Sequence, residues 1–233
     1  MAHRTNGVPV GRTSRLRRPQ LSDEVVAYLR DQIMSGELRP GTFIRLEDVA
    51  ATLGVSITPV REALLTLRGE DMVELEPRRG YRVAPLSRQD VDDVFRLQAH
   101  IAGELAVRAA ARITPAELDD LREKQQGLRD AVDTATPAEI EEREFDFHRA
   151  VNRIAAARKL SWFLHTALRY TPVRFYSADA GWRASMLTAH DDLLAALEAR
   201  DGEQATAVMA RHFTDGAERL LAHLDARDAW SES

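Results

Sequence analysis

A chain of 233 residues, 44% hydrophobic and 30% charged, has room for one large or two ordinary domains and enough apolar material for real cores. The absence of cysteine excludes disulfides and thiolate metal sites, leaving histidine and carboxylates as the candidate metal ligands. No apolar run approaches the roughly 18 residues of a membrane span and no signal-peptide pattern opens the chain, so a cytoplasmic location without a membrane partner is expected.

The formal charge of −5 is unevenly spread. Residues 1–20 hold Arg4, Arg12, Arg15, Arg17 and Arg18 and no acid. They read as a basic disordered tail that would add salt-sensitive attraction to phosphates, although a frayed terminus has the same composition. Ser22 to Ser35 follows as a first helix, with Val25, Val26, Leu29 and Ile33 inward and Gly36 as its stop. Leu38-Arg39-Pro40-Gly41 turns the chain into the next element.

Leu46, Val49, Ala50 and Leu53 repeat at helical spacing, and Gly54 supplies the left-handed C-cap. Ser56 or Thr58 can cap a second helix, with Pro59 in its first turn and Val60, Ala63, Leu64 and Leu67 on its buried face. Ser56, Thr58 and Arg61 then occupy its exposed N-terminal end, the end that enters a major groove in a helix-turn-helix. A plain αα corner has the same spacing. The next residues favour DNA: two strand-like runs, Val73–Leu75 and Tyr81–Val83, flank Glu76-Pro77-Arg78-Arg79-Gly80. A basic hairpin there reads as a wing that places Arg78 and Arg79 near phosphates or a minor groove, whereas an isolated one would be only a solvated turn.

Ala84-Pro85-Leu86 is a short linker, and the rest of the chain is helical. Capping boxes at Ser87/Asp90, Thr114/Glu117 and Thr136/Glu139 open three helices. They are followed by helices from Lys159 to about Arg169, from Trp182 to about Arg200, and from the Asp201-Gly202-Glu203 turn to near Asp225. The expected fold is mainly α: a tail over 1–20, a winged helix-turn-helix (three helices and a β-hairpin) over 21–85, and an antiparallel bundle of six or seven helices over 86–233.

Glu144 and His148 stand four apart on one helix and so share a face. His190 lies before, and His212 after, the turn at Asp201-Gly202 by equal lengths of chain, so antiparallel helices bring both to one level. Three imidazoles and a carboxylate at one level make a divalent metal site of the N/O type. The same residues could form a metal-free polar core. They could also hold a catalytic metal with an open water position, a reading weakened by the lack of a separate general base and by an otherwise unexplained wing.

VSITPVREALLTL followed by RRGYRV resembles the winged helix-turn-helix of the GntR superfamily of bacterial transcription regulators, whose usual form VSRTPVREAL differs at one position from residues 55–64. The resemblance implies DNA contact through Ser56, Thr58 and Arg61 and, at the wing, Arg79 and Gly80. Ile57 and Glu47 stand where the superfamily often carries Arg. Neither can make the bidentate contact to guanine, so the operator should differ and affinity should lean on Arg45, Arg61, Arg78 and the other wing residues, and the tail. The C-terminal two-thirds are similar to the FCD ligand-binding domain of the FadR-type subfamily, through Glu144-Phe-Asp-Phe-His148, the run from His190 to Ala205, and Met209-Ala-Arg-His212. That resemblance implies zinc or nickel on Glu144, His148, His190 and His212, with Glu for the usual Asp at 144 and Asp146 as a fallback. It also implies a small organic-acid effector completing the metal's coordination and pairing with Arg96, Arg149 or Arg211. Gln98 and His100 lie near the place of a ligand-reading Arg in many members. A homodimer that reads an inverted repeat and acts as a repressor is the implied whole.

Overall fold

The computed structural model describes residues 19–230, so nearly all of the expected basic tail lies outside the described residues. Helix α1 (Pro19–Met34) begins ahead of the expected Ser22 and buries Val25, Val26, Leu29 and Ile33. Its end at Gly36 has two reasons to be glycine. The residue adopts φ +74°, and a Cβ there would stand 2.8 Å from both Ala229 and Leu224 of the C-terminal segment. α2 (Leu46–Leu53) and α3 (Ile57–Gly69) form the expected pair. Gly54 (φ +65°) closes α2, its N–H donating to Ala50 and Ala51 carbonyls. Val60, Ala63, Leu64 and Leu67 are fully buried against α1.

The wing forms from β2 (Val73–Glu76) and β3 (Gly80–Val83), paired antiparallel with Leu75 opposite Tyr81. A strand of two residues, β1 (Phe43–Ile44), joins the far edge of β3 with Phe43 opposite Arg82, giving a sheet of order β1-β3-β2 where a hairpin alone was expected.

All three capping boxes form as read, opening α4 (Arg88–Arg112), α5 (Pro115–Ala131) and α6 (Pro137–Ile154). α7 (Arg158–Ala167) runs into a 3-10 turn at Leu168–Tyr170. α8 (Val173–Ala178), α9 (Ala180–Glu198) and α10 (Gly202–Ala226) complete the described helices. The six-residue α8 was not foreseen. α4 packs along α10, and α9 lies against α10 as its hairpin partner. One buried cluster gathers Leu105, Leu121, Phe147, Leu193 and Leu197; a second gathers Leu128, Met186, Leu220 and Leu224. Among the described residues no helix is long and apolar enough to cross a membrane.

Candidate functional site

The N-terminal end of α3 presents Ser56, Ile57, Thr58 and Arg61 to solvent, because the opposite face is occupied by the buried residues of the helix pair. Ser56 sits at the cap position without a side-chain cap bond, which leaves its hydroxyl available. Arg45, just before α2, and Arg61 are exposed and have no acidic partner among the described residues. On the wing, Arg78 is exposed at φ +68°, and Gly80 (φ +98°) starts β3. Arg79 pairs with Glu76 at 3.3 Å and lies 4.4 Å over the Phe43 ring, so the unforeseen β1 steadies a wing cation.

In the helical part, α6, α9 and α10 bring the expected metal residues together. His148 Nε2 lies 3.1 Å from His190 Nε2, and donor atoms of Glu144, His148 and His190 all lie within 4.8 Å of one another. The His212 ring, packed on Trp182, is 5.6 Å from His148 and 6.1 Å from His190 by ring centres, beside the trio rather than within it. Asp146 points away and pairs with Arg149.

Sequence reasoning missed the residue that orients this cluster. Gln125 of α5 is buried, and its amide nitrogen donates to the Leu187 carbonyl (3.0 Å) and to Asp191 (3.1 Å), which Arg129 holds at 2.6 Å. Its oxygen therefore faces His190 Nδ1 at 2.9 Å and accepts that proton. His190 is left with an Nε2 lone pair aimed at His148, and Phe147 stacks on its ring at 4.1 Å. No motif marks Gln125, which acts across 65 positions of chain.

Glu144 and His148 line a solvent-reachable chamber yet are surrounded by protein, and desolvation governs their charge. Burial, then Glu141, raises the Glu144 carboxyl to about 7. Burial, then His212, lowers His148 to about 3. Burial, then His148 and His212, lowers His190 well below its usual value. Burial, partly opposed by Asp215, lowers His212 to about 4. The imidazoles are thus neutral at pH 7, the form that ligates a metal. The donor set fits one: the 3.1 Å between the two nitrogens is near the roughly 3.3 Å edge expected for tetrahedral zinc with bonds of about 2.0–2.1 Å.

The chamber holds about 90 Å³ and is walled by Phe95, Tyr176, Trp182, Phe213, Val151 and Leu164, with Glu141, Glu144, His148 and His212 among its polar groups. Among the described residues no arginine lines it. Arg96 projects into solvent beside Asp92, since Phe95 and Gln98 take the inward positions of that turn. Arg211 faces outward to Asp192. Arg149 lines a neighbouring concavity of about 710 Å³.

The segment after α7 joins chamber and winged part. Leu168, Thr171 and Val173 line the chamber. Between them Arg169 bonds Glu70 at 2.8 Å, and the Tyr170 hydroxyl donates to the Glu70 carbonyl. Glu70 is the C-terminal cap of α3 and is also gripped by Arg30 of α1 at 2.8 Å. Gln98, fully buried, fixes the same segment through the Ala167 carbonyl (2.9 Å) and Thr171 (3.1 Å).

Two family models match the chain. The family model described as bacterial regulatory proteins, gntR family, matches residues 21–83, and the FCD domain model matches residues 93–215. The HTH-type transcriptional repressor RspR of Escherichia coli K12 is 28% identical over 203 residues, 86% of this chain and 89% of that protein. An HTH-type transcriptional regulator, YdfH, from another Escherichia coli strain is 28% identical over 205 residues, 87% of this chain and 90% of that one. The solved structure of Escherichia coli McbR/YncC superposes with a TM-score of 0.65 at 26% identity, covering 87% of this chain and 97% of its own. These relatives are regulators, and the metal-dependent enzyme reading finds no support among them.

Proposed function

This chain belongs to the GntR family of bacterial regulatory proteins with an FCD domain and is a DNA-binding transcriptional regulator, and on that premise we propose that it is a repressor released by a small organic acid. It works in the cytoplasm as a homodimer whose two recognition helices read an inverted repeat. Function divides as the sequence suggested: residues 21–85 with the preceding tail hold DNA, and residues 86–233 dimerise and sense the ligand. Ser56, Thr58, Arg61 and Arg45 meet the groove and its phosphates, Arg78, Arg79 and Gly80 the flanking backbone or minor groove. Ile57, where an Arg is usual, suits a thymine methyl.

Glu144, His148 and His190, with His212 alongside, would hold zinc or nickel, which when bound offers a positive anchor for an oxygen of the effector. Gln125 keeps His190 in the ligating tautomer, and the aromatic walls give the ligand an apolar surface to pack on. The observation that carries the regulatory reading is the Leu168–Val173 segment. Leu168, Thr171 and Val173 touch the chamber while Arg169 and Tyr170 between them hold the end of α3, so a ligand that displaces Leu168 or Thr171 also displaces the grip on Glu70. A coupling of about 1–3 kcal/mol is typical of such links.

Fluorescence anisotropy on inverted repeats near the gene tests the proposal. His190→Ala should keep salt-sensitive, sequence-selective binding and lose the response to ligand, and Glu70→Gln should shrink that response while ligand still binds. Absence of selective binding at every salt concentration would refute it.

A further inference from the structure

We propose that the C-terminal segment from His223 to Ala229 is a strap that positions the wing, and that it thereby sets which half-site spacing the dimer reads. This rests on the reading that two winged parts bind an inverted repeat. It adds a specificity determinant that lies away from the residues meant to touch DNA.

The strap holds the turn between α1 and β1 at four positions. The Nε2–H of His223 on α10 donates to the Ser35 carbonyl at 3.2 Å. Gly36 fits so closely against Leu224 and Ala229 that a Cβ would meet both at 2.8 Å. Arg227 pairs with Glu37 at 2.9 Å, and Arg39 Nη2 donates to the Arg227 carbonyl at 2.8 Å. The segment can grip because it is itself anchored. Asp228 takes φ +50° and turns the chain back, so that the Ala229 N–H donates to the Leu224 carbonyl at 3.1 Å and Ala229 is buried. Trp230 Nε1 donates to Asp225 at 2.8 Å, while Arg88 beside the start of α4 bonds Asp225 and lies over the Trp230 ring. These residues lie past the 93–215 stretch that matches the FCD domain model.

The turn passes this grip to the wing within a few residues. The Gly41 N–H donates to the Val83 carbonyl, and the Val83 N–H donates to the Thr42 carbonyl, both at 2.9 Å. Phe43 follows, stands opposite Arg82 and carries Arg79 over its ring. The wing is therefore tied to the helical part through the strap as well as through the Ala84–Leu86 linker and the grip on Glu70. In a dimer the placement of each winged part on its bundle fixes the separation of the two reading heads, and so the half-site spacing. A wing free to swing would fit several spacings and give up that freedom on binding any of them.

Amide hydrogen exchange of the full-length protein without DNA tests the mechanical step. Ala229→Glu forces a charge into the contact with Gly36, and Arg39→Ala/Arg227→Ala removes exposed side chains only. Each should speed exchange at the Gly41 and Val83 N–H groups by at least about threefold and leave Leu67 of α3 at the parent rate. Anisotropy on inverted repeats of stepped spacing tests the readout. The parent protein should prefer one spacing by at least about tenfold, and each variant should lose at least about threefold of that preference. The salt slope of the double arginine variant should equal the parent's, since these cations act on the protein. The proposal is overturned if Gly41 and Val83 exchange at the parent rate in both variants, or if Leu67 accelerates with them in both, since the segment would then serve stability alone. It is also overturned if the salt slope falls, because the arginines would then serve phosphates. A parent with a sharp spacing preference that both variants keep leaves the dimer reading standing and removes the strap. A parent that binds no inverted repeat selectively removes the dimer reading, and the spacing role with it.

Discussion

The exposed N-terminal end of α3 draws Ser56, Ile57, Thr58 and Arg61 from one stretch of chain and leaves them solvated, whereas Glu144, His148, His190 and His212 come from three helices and are surrounded by protein. That exposed end rests on a core it does not share, so its side chains can change without cost to the fold. The chamber residues are part of the core they sit in: His190 is at once stacked on Phe147, bonded to Gln125 and aimed at His148. A substitution in the first region should therefore alter binding alone, and one in the second should alter binding and stability together.

The sharpest break in that contrast comes from Phe147→Ala. Phe147 is fully buried and supports the His190 ring, and truncating such a residue costs about 3–5 kcal/mol. Denaturant unfolding should show that loss along with impaired zinc binding. A well-folded variant with normal zinc affinity would mean that the chamber does not depend on its packing.

Gln125→Leu separates orientation from packing. It removes the acceptor for His190 Nδ1–H while keeping similar bulk, and losing such a partner typically weakens metal binding 10–100-fold. Competition titration with a zinc chelator should show this, with operator affinity of the ligand-free protein unaltered. Unchanged zinc affinity would remove Gln125 from the site.

The contrast also explains what could be read in advance. Helix α3, Gly54 and the three capping boxes are local features whose partners lie within a few residues, and all of them formed as expected. The level of His190 and His212 was legible because one short turn fixes the phase of their helices. β1 has only two residues, too few to show an alternation, and is defined by pairing with a strand nearly 40 residues later. α8 follows Pro172 and is too short to display a helical period. Gln125, Gln98 and Glu70 owe their roles to partners 40 to 100 positions away, and a lone Gln or Glu carries no sign of that in sequence. The Arg residues assigned to an effector illustrate the same limit: whether a helical Arg faces a cavity depends on the neighbouring helix, and Arg96 and Arg211 found nearby acids at the surface.

On the recognition side, Arg61→Ala should cost about 1–3 kcal/mol of operator affinity by anisotropy. Its exposure predicts an unchanged melting temperature. Ile57→Arg should shift operator preference toward sites with guanine at one position of each half-site, again without a stability change. If preference stays the same, Ile57 does not face the bases.

The smallest effect is the one in which binding and stability move in opposite directions. Arg78 is held at φ +68° at the tip of the wing, a conformation costing a non-glycine residue roughly 1–2 kcal/mol. Arg78→Gly removes that strain but adds freedom to the unfolded chain, leaving a net gain of about 0.5–1 kcal/mol in unfolding free energy. It also removes an exposed cation, so the slope of log affinity against log salt should fall by about 1. A variant that melts higher and binds operator less steeply in salt would show that the wing keeps a strained arginine for its charge. A salt slope equal to that of the parent protein would mean that Arg78 reaches no phosphate, leaving the strain at this position without a role in DNA binding.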